Sequence, residues 1–465
     1  MKNTLVKNMS YSLLANLFSM IVSVLSVLVL PKILSGEGYG YYQLYIFYSG
    51  YVGYLQLGWI DGIYLRYGGQ YFDKLEKDKF CSQIKLFTIF TLLLSFLIVV
   101  LSFSFVKSYS LICIMIAIYT LLYLPRTLLQ TILQTTNQIR EYAKITLFGR
   151  TIFGILILIL ALLKCNNYIY YVLSDIIGRL VALILSMIYC SSLIFTKQEK
   201  ISKAIKEAKD NMHVGINLML SNLASLLIIG IVRFFIQLKW DVVTFGKVSL
   251  TVSISNLLLI FITAISVTLF PMLKRAEKSK LMPYYNKIQT ITITLILFCM
   301  IFYYPLSRIL TYWISNYSES IKYVALLFPM CLYECKMNLL INTYLKTLRK
   351  EKQMLTINII MIIISLIASM VVIFVFENLN LAILLIMILS MIRCIISEIY
   401  LSKVMEFSVW KEIISEALMS LVFILVNWII GGWIGFIIYI VFFVCYVFAY
   451  KNNIKQYLTS YLKRK

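Results

Sequence analysis

Charged residues are scarce in this 465-residue chain, where Asp, Glu, Lys and Arg make up 14% and hydrophobic residues 61%. A soluble globular protein cannot cover its surface with so few polar side chains. The composition therefore excludes a soluble domain and indicates a polytopic membrane protein. The formal net charge of +23 does not call for nucleic acid as a partner, because basic residues collect on the cytoplasmic side of membrane proteins.

The residue types that most often bind metals or perform catalysis are also rare. The chain has one histidine, His213, and nine cysteines scattered mostly through apolar runs, so the sequence offers no paired zinc ligands. It has no phosphate-binding loop of the GxxxxGK type. We therefore expect no metal, no cofactor and no enzymatic activity. If the chain transports actively, an ion gradient or the membrane potential is the expected energy source, rather than ATP directly.

Apolar windows long enough to cross a bilayer, which takes about 20 residues, account for most of the chain. Fourteen are found: 10–33, 41–65, 84–106, 109–133, 144–163, 168–195, 213–238, 242–272, 286–310, 321–346, 353–376, 380–402, 413–430 and 433–450. The alternating connections hold 30 Lys and Arg residues on one side and 5 on the other. That bias predicts an even number of spans and two cytoplasmic termini.

The chain resembles itself when it is shifted by 206 residues without gaps. This shift lays Asn16 on Asn222 and Gly40 on Gly246. Two similar halves are the layout of many secondary transporters. We therefore predict four segments: an N-terminal six-helix bundle over 1–195, a cytoplasmic amphipathic linker over 196–212, a C-terminal six-helix bundle over 213–402, and two further helices with a basic cytoplasmic tail over 403–465.

The linker has a pattern of its own. Ile201, Ala204 and Ala208 recur at helical spacing, with lysines on the other faces. This pattern predicts an amphipathic helix on anionic lipid headgroups, and a solvated linker is the alternative.

The first two windows carry a family pattern of small and polar residues. The run from Lys7 through Gly40 and Gly58 to Arg66 resembles the polysaccharide (O-antigen, Wzx-type) flippases. That family belongs to the multidrug/oligosaccharidyl-lipid/polysaccharide (MOP) exporter superfamily, which includes the MATE drug exporters and the lipid II flippases. The seventh helix departs from the pattern, since Val232 stands where members often have an acidic residue.

The resemblance implies an all-α fold with about 14 transmembrane helices, arranged as two six-helix bundles of MATE type plus two C-terminal helices. It also implies a function. The expected protein is a flippase that moves a polyprenyl-pyrophosphate-linked oligosaccharide across the bacterial cytoplasmic membrane by alternating access. Membrane lipids and other polysaccharide assembly proteins are the further partners that it implies.

Basic residues inside the predicted spans are candidates for binding the anionic pyrophosphate. The set consists of Arg233, Lys247, Arg66 and Arg179. Ionisable side chains within a bilayer normally face a cavity or a partner, arginine matches phosphate oxygens bidentately, and lysine acts as a point charge. The alternatives are snorkelling to the membrane surface or pairing with a nearby acid, such as Asp241 beside Arg233 and Lys247.

Carboxylates within or near the spans are candidates for a coupling cation, either a proton or sodium. Asp175 and Glu334 lie within predicted spans, and Asp61 lies near the end of one. Neutralisation by a neighbouring base is the alternative. Asp175 precedes Arg179 by four residues, and Glu334 has Lys336 two residues away.

Polar residues recur at helical spacing along three of the predicted helices, which indicates a polar lumen shared by the two halves. The stripes consist of Ser12, Asn16, Ser19 and Ser23 in the first helix, Asn217 and Ser221 in the seventh, and Ser249, Ser253 and Asn256 in the eighth. Close helix packing through small hydroxyl side chains is the alternative explanation.

Two other functions stay open at this point. A cation-coupled multidrug exporter of the same fold would prefer acidic, aromatic pockets, whereas Arg233 and Lys247 favour an anionic guest. A membrane polysaccharide polymerase or glycosyltransferase generally uses a sizeable outer loop with catalytic carboxylates. The longest outer connection, 311–320, has Glu319 as its only acid, which argues against that enzyme class.

Overall fold

The computed structural model describes residues 2–274 and 278–451, without the side chains of residues 2–10, 12–14, 258 and 260–280. This described part is helical and contains no strand, which confirms the predicted all-α fold. The chain divides into two compact units, 1–223 and 224–465. The predicted division into four segments stays a prediction.

The first unit consists of eight helices and the beginning of a ninth. They are α1 (Lys2–Ile33), α2 (Gly36–Val52), α3 (Trp59–Tyr67), α4 (Lys77–Ser102), α5 (Lys107–Thr135), α6 (Ile139–Leu162), α7 (Tyr168–Tyr189), α8 (Ser191–Ile194) and α9 (Ile201–Lys239). Helix α6 packs against α1 and α7, and α5 packs against α2, α4 and α7. Helices α5, α6 and α7 are therefore mutual neighbours.

The second unit begins within α9 and contains ten further helices. They are α10 (Val242–Lys274), α11 (Lys278–Ile301), α12 (Tyr303–Trp313), α13 (Ser318–Leu327), α14 (Met330–Lys336), α15 (Asn342–Thr347), α16 (Glu351–Met370), α17 (Leu379–Met405), α18 (Trp410–Ile424) and α19 (Gly432–Ala449). Helix α17 packs against α13, α14 and α16, and α18 packs against α13 and α19.

Helix α2 begins earlier than the glycine-rich sequence suggests. Ser35 caps it by accepting a hydrogen bond from the backbone N–H of Gly38 at 3.1 Å. A side-chain cap of this kind satisfies an N–H that has no partner within the helix. Residues 36–40, which lie between the predicted windows 10–33 and 41–65, therefore form the first turn of α2.

The second predicted window, 41–65, is divided between two helices. Helix α2 ends at Val52, and α3 begins at Trp59 after Leu57 and Gly58 adopt positive φ angles of 54° and 83°. A left-handed backbone conformation cannot continue a right-handed helix. At a residue that has a Cβ, this conformation costs of order 1–3 kcal/mol. Tertiary packing around Gly58 must therefore hold this turn in place.

The window predicted over 321–346 is a broken helix. Helix α13 and the segment that starts with α14 meet at 52°, because Pro329 has no N–H to donate to the preceding turn. A π-helical segment, Met337–Ile341, then follows α14. Two further π-helical segments, Val371–Val375 and Leu425–Ile430, extend α16 and α18.

Eleven helices of the described chain are long and apolar enough to cross a membrane, or twelve if the bent pair at Pro329 is one span. The predicted number of fourteen is therefore not confirmed. Two predicted windows, 41–65 and 242–272, have no counterpart among these helices. In the second of them, most side chains beyond Leu257 lie outside the described residues. Large apolar side chains are exposed on many of these helices, as expected for surfaces that face lipid. The chain is a multi-pass membrane protein.

Helix α9 starts at Ile201, so the predicted linker runs directly into it. Ala204 and Ala208 are buried, whereas Ile201 and Ile205 are exposed. The interpretation of this segment as a helix on the lipid surface stays a prediction.

Helices α3 and α9 approach each other backbone to backbone. A Cβ added to Gly62 would lie 1.9 Å from the carbonyl oxygen of Asn211, and one added to Gly215 would lie 2.0 Å from that of Gly58. Glycine is the one residue without a Cβ, so this approach depends on it. Glu207 of α9 adds ion pairs with Arg66 at 2.7 Å and Lys79 at 3.1 Å.

We predict that Gly62→Ala destabilises the protein, because the added methyl group overlaps the α9 backbone. Overpacking costs about 1–3 kcal/mol where side chains can adjust, and backbone adjusts less readily. The matched control is Gly50→Ala, since a Cβ there meets no atom within 4 Å. Thermal unfolding of the purified variants in detergent measures the effect. Equal melting temperatures for Gly62→Ala and Gly50→Ala would contradict the prediction.

Candidate functional site

A second close approach, between α6 and α7, places two arginines side by side. A Cβ on Gly149 would lie 2.9 Å from the carbonyl oxygen of Gly178, and a Cβ on Gly178 would lie 2.7 Å from that of Gly149. Each glycine is followed by an arginine, Arg150 on α6 and Arg179 on α7. The small residues bring the helices together, and their neighbours carry the charge.

Arg179 is held by a carboxylate and by aromatic rings. Its Nε donates to Oδ2 of Asp175 at 2.8 Å, and Tyr45 of α2 donates its hydroxyl hydrogen to the same oxygen at 2.8 Å. The guanidinium carbon of Arg179 lies 4.2 Å from the ring centroid of Tyr119 and 5.4 Å from that of Tyr123. Cation–π contacts at these distances stabilise a guanidinium group away from water.

Arg126 of α5 and Arg150 complete the cluster. The guanidinium carbon of Arg126 lies 5.2 Å from the ring centroid of Tyr123, and its buried Nε has no hydrogen-bond partner among the described residues. Arg150 interacts electrostatically with both Asp175 and Arg179. The three arginines and Asp175 line one small cavity of about 30 Å³.

The charges in this cavity do not balance. Three guanidinium groups face a single carboxylate among the described lining residues. Unpaired cations within a membrane protein are costly and mark sites for anions or for water-filled cavities. Guanidinium donors that converge on one space suit a phosphate or pyrophosphate group, which they can bind through several oxygens. We call Arg126, Arg150 and Arg179 the arginine cluster.

The sequence prediction contained one member of the arginine cluster, Arg179, and omitted two. Arg126 and Arg150 are charged residues within predicted spans, but neither stands near a motif that marks it. The signal that could have found Arg150 is the Gly-Arg dipeptide, which occurs once in each of the two consecutive helices α6 and α7. Arg126 could be assigned only from three-dimensional packing.

Arg66 is engaged elsewhere in the first unit. Besides its ion pair with Glu207, its Nη1 donates to Oδ1 of Asn211 at 2.6 Å. The hydroxyl group of Tyr67 donates to Glu207 at 2.6 Å. The structure therefore places Arg66 in the contact between α3 and α9, apart from the arginine cluster.

Arg233 and Lys247 lie in the second unit. Arg233 donates through Nη2 to the hydroxyl oxygen of Ser249 at 2.9 Å. Lys247 forms an ion pair with Glu319 at 2.6 Å, a partner 72 residues away in the chain. Asp241, the sequence neighbour considered as their partner, instead accepts a hydrogen bond from Thr244. That bond holds the pKa of Asp241 below its usual value.

The predicted coupling acids have different surroundings. Asp175 is paired with Arg179, as described above. Asp61 at the start of α3 accepts a hydrogen bond from Gln56. Glu334 accepts from Ser390 at 3.1 Å and lies 3.7 Å from Nη1 of Arg393 rather than beside Lys336.

Lys336 belongs to a separate buried group that the sequence prediction did not contain. Its Nζ lies 2.6 Å from Glu398 of α17 and 2.7 Å from Glu416 of α18. All three side chains are inaccessible to solvent or nearly so. The partners are 62 and 80 residues away in the chain, so their proximity depends on the fold.

The polar stripes are satisfied mainly within their own helices. Ser19 and Ser23 donate to the carbonyl oxygens of Ala15 and Ser19, four residues earlier. Ser253 donates in the same way to Ser249, which also accepts from Arg233. Asn16 and Asn217 are exposed, Ser221 is buried, Asn256 is half-buried, and the side chain of Ser12 lies outside the described residues. A shared polar lumen stays a prediction.

A family model described as "Polysaccharide biosynthesis protein" matches residues 5–277, which is more than half of the chain. Comparison with curated protein sequences finds no match. Among the described residues no three His, Cys, Asp or Glu side chains come together in a way that could hold a metal ion.

Several solved structures share the fold. One is the lipid II flippase MurJ in an inward closed conformation, with 15% identity and a TM-score of 0.65 over 95% of this chain and 99% of that one. Another is a multidrug resistance MATE family transporter of the MOP superfamily in an inward-facing conformation, with 13% identity and a TM-score of 0.60 over 84% of this chain and 98% of that one. These likenesses confirm the predicted MATE-like fold.

A third solved structure differs in the charge of its pocket. It is a MOP superfamily transporter from Pyrococcus furiosus, in which a binding pocket of reverse polarity suggests a different function. Its identity to this chain is 14% and its TM-score 0.53, over 86% of this chain and 96% of that one. The fold is therefore shared with this transporter as well.

We predict that Asp175→Asn destabilises the protein by about 3–5 kcal/mol, because it leaves the buried Arg179 without its counter-charge. The double variant Asp175→Asn/Arg179→Gln removes both charges and should recover most of the loss. Thermal unfolding in detergent measures the stability of both variants. The control is Asp73→Asn, because Asp73 is exposed. A double variant no more stable than the single one would show that the pair does not stabilise the fold as a unit.

Proposed function

Because the chain belongs to the polysaccharide biosynthesis protein family, we propose that it is a flippase for a polyprenyl-pyrophosphate-linked oligosaccharide. The substrate would be a repeat unit of O-antigen, capsule or exopolysaccharide, moved across the bacterial cytoplasmic membrane by alternating access. An ion gradient or the membrane potential would supply the energy. The chain would have both termini in the cytoplasm and no enzymatic activity.

The arginine cluster is the observation that carries this proposal. The lipid-linked substrate has a doubly charged anionic link between an apolar tail and a polar glycan. Among the described lining residues Asp175 is the one carboxylate, and its hydrogen bond goes to Arg179, so three arginines share a single acid. A pyrophosphate group in the cavity would supply the missing negative charge and accept several guanidinium N–H bonds.

Tyrosine rings beside the cluster support a glycan as part of the substrate. The rings of Tyr119 and Tyr123 stack at a centroid distance of 5.0 Å, and that of Tyr45 lies 6.0 Å from Tyr119 at a steep angle. Aromatic faces next to hydroxyl groups offer both apolar contact and hydrogen bonds. Tyr45 and Tyr119 are buried, so the half-buried Tyr123 is the ring that a sugar next to the pyrophosphate would contact.

The remaining predicted cations have secondary roles in this proposal. Arg233, which belongs to the second unit, would contact the substrate there. Arg66 and Lys247 already have carboxylate partners in Glu207 and Glu319, so they would stabilise the protein rather than bind pyrophosphate directly. The polar stripes would line the substrate path, and Asp175, Glu334 or Asp61 would bind the coupling proton or sodium ion.

The competing functions have less support. A multidrug exporter of cationic compounds would have to place a positive charge beside the arginine cluster, where it would be repelled. The reverse polarity of the binding pocket in the Pyrococcus furiosus transporter is consistent with pocket charge differing between proteins of this fold. A polymerase or glycosyltransferase has no favourable observation in the described residues.

Complementation tests the proposal. We expect the chain to restore surface glycan in a bacterium that lacks its own polysaccharide flippase, and Arg150→Gln to abolish this activity. Each lost charge-assisted hydrogen bond costs about 1.5–3 kcal/mol, so transport should fall about tenfold or more. The matched control is Arg140→Gln, because Arg140 lies on the same helix but is exposed. Immunoblotting should show equal amounts of each variant in the membrane.

The other outcomes are also informative. Wild-type glycan levels with Arg150→Gln would show that the arginine cluster does not bind the substrate. A fall that is equal for Arg140→Gln and Arg150→Gln would point to a general effect of charge. Absence of glycan together with new resistance to cationic dyes would favour the drug exporter.

A further inference from the structure

The most completely buried charged group in the second unit surrounds Lys336. Its ammonium nitrogen contacts Oε2 of Glu398 at 2.6 Å and both carboxyl oxygens of Glu416 at 2.7 Å. The solvent-exposed fractions of the three side chains are 0%, 1% and 3%. These groups join three helices, α14, α17 and α18, at one point. We call them the carboxylate–lysine triad.

The two carboxyl groups differ in their hydrogen-bond donors. Oε1 of Glu398 accepts from the hydroxyl group of Tyr285 at 3.0 Å and from Nε2 of Gln289 at 2.9 Å, in addition to its contact with Lys336. Glu416 accepts from Lys336 through both oxygens and also from Gln289, whereas the hydroxyl group of Tyr285 donates to Glu398. A carboxylate with more donors is more stable as an anion. Glu398 is therefore the better-stabilised anion of the two.

The other groups around the triad are neutral in their ordinary state. They are Tyr285 and Gln289 of α11, Tyr333 of α14, Cys394 of α17, Tyr446 of α19 and Tyr450 directly after α19. The charged groups nearby on α14 and α17 are Glu334 and Arg393, which lie 3.7 Å apart and balance each other. Lys411 and Glu412, at the start of α18, interact with Tyr450. Among the described residues, Lys336 is the cation that contacts Glu398 and Glu416.

The charge balance leads to an assignment. One ammonium group neutralises one carboxylate, and the second carboxylate would leave a net negative charge in a fully buried site. We propose that the carboxylate–lysine triad is a proton-binding site in which Glu416 carries one exchangeable proton. The neutral acid keeps its carbonyl oxygen as an acceptor for Lys336, which stays an ammonium ion paired with Glu398.

The location of the site gives the proton a structural role. Glu416 is contributed by α18, and Ser420 of the same helix accepts a hydrogen bond from the hydroxyl group of Tyr333 of α14 at 3.0 Å. Loss of the proton would place two negative charges on one lysine between α14, α17 and α18. A π-helical segment begins directly after Lys336, and such segments are frequent at functional sites. Proton occupancy should therefore control how firmly α18 is held against α14 and α17.

Infrared difference spectroscopy of the full-length protein in lipid nanodiscs tests the proposal, because protonated carboxyl groups have a carbonyl stretch that shifts in heavy water. At neutral pH we expect a band that corresponds to about one protonated carboxyl group per molecule. This band should disappear when a higher pH removes the proton. Glu416→Gln and Glu398→Gln should each abolish this band, because the remaining carboxylate is then neutralised by Lys336. Lys336→Met should instead increase the band about twofold, since both carboxyl groups must then be protonated.

The control is Glu412→Gln, one helical turn before Glu416, which should leave the band unchanged. Each variant is used only if it elutes as a single species in size-exclusion chromatography. A wild-type spectrum identical to that of Glu416→Gln, or no increase with Lys336→Met, would overturn the proposal. If sodium chloride removes the band but choline chloride does not, sodium displaces a proton that was bound there, which supports an exchangeable proton at this site. The measurement requires no transport, so its outcome is independent of the proposed flippase function.

Discussion

Buried charge in an apolar chain has to be neutralised, and carboxylates are in short supply here, with 20 acidic residues against 43 basic ones. The two units meet this constraint in opposite ways. In the first unit a single carboxylate, Asp175, faces the arginine cluster, so positive charge is in excess. In the second unit the carboxylate–lysine triad has negative charge in excess. The first imbalance suits an anionic guest, whereas the second suits a proton.

Both imbalances depend on helix packing rather than on local sequence. The arginines of α6 and α7 adjoin because Gly149 and Gly178 let the two backbones approach. The triad forms because α14, α17 and α18 converge on Lys336. The triad is almost fully buried and the arginines are half-buried, and burial makes an unpaired charge more costly and a specific partner more effective.

Much of the architecture could be predicted from the sequence, because transmembrane helices have a strong compositional signal. Ten of the predicted windows coincide with unbroken helices long enough to cross a membrane, and an eleventh, over 286–310, is divided between α11 and α12. The break between α2 and α3 could not be predicted, because Leu57 adopts a positive φ angle that its residue type disfavours. That conformation depends on contacts with α9, which lie more than 150 residues away in the chain.

The candidate site was less accessible from the sequence. Charged residues within spans can be recognised one by one, and Arg179 was found in that way. The partners of these charged residues cannot be recognised from the sequence. An ion pair such as that of Lys336 with Glu416 joins helices that are far apart in the chain. For the same reason Lys247 could not be assigned to Glu319, and Asp241 stood as its candidate partner.

The contact between α3 and α9 has a mechanical consequence. Its surfaces are backbone, so no side chain of one helix is inserted into a groove of the other at Gly58, Gly62 and Gly215. At these glycines the helices can separate without first withdrawing an interlocked side chain. What resists separation is the set of polar contacts to Glu207, which is partly open to solvent. The strength of this contact should therefore depend on ionic strength more than on temperature, since dissolved salt screens ion pairs of this kind.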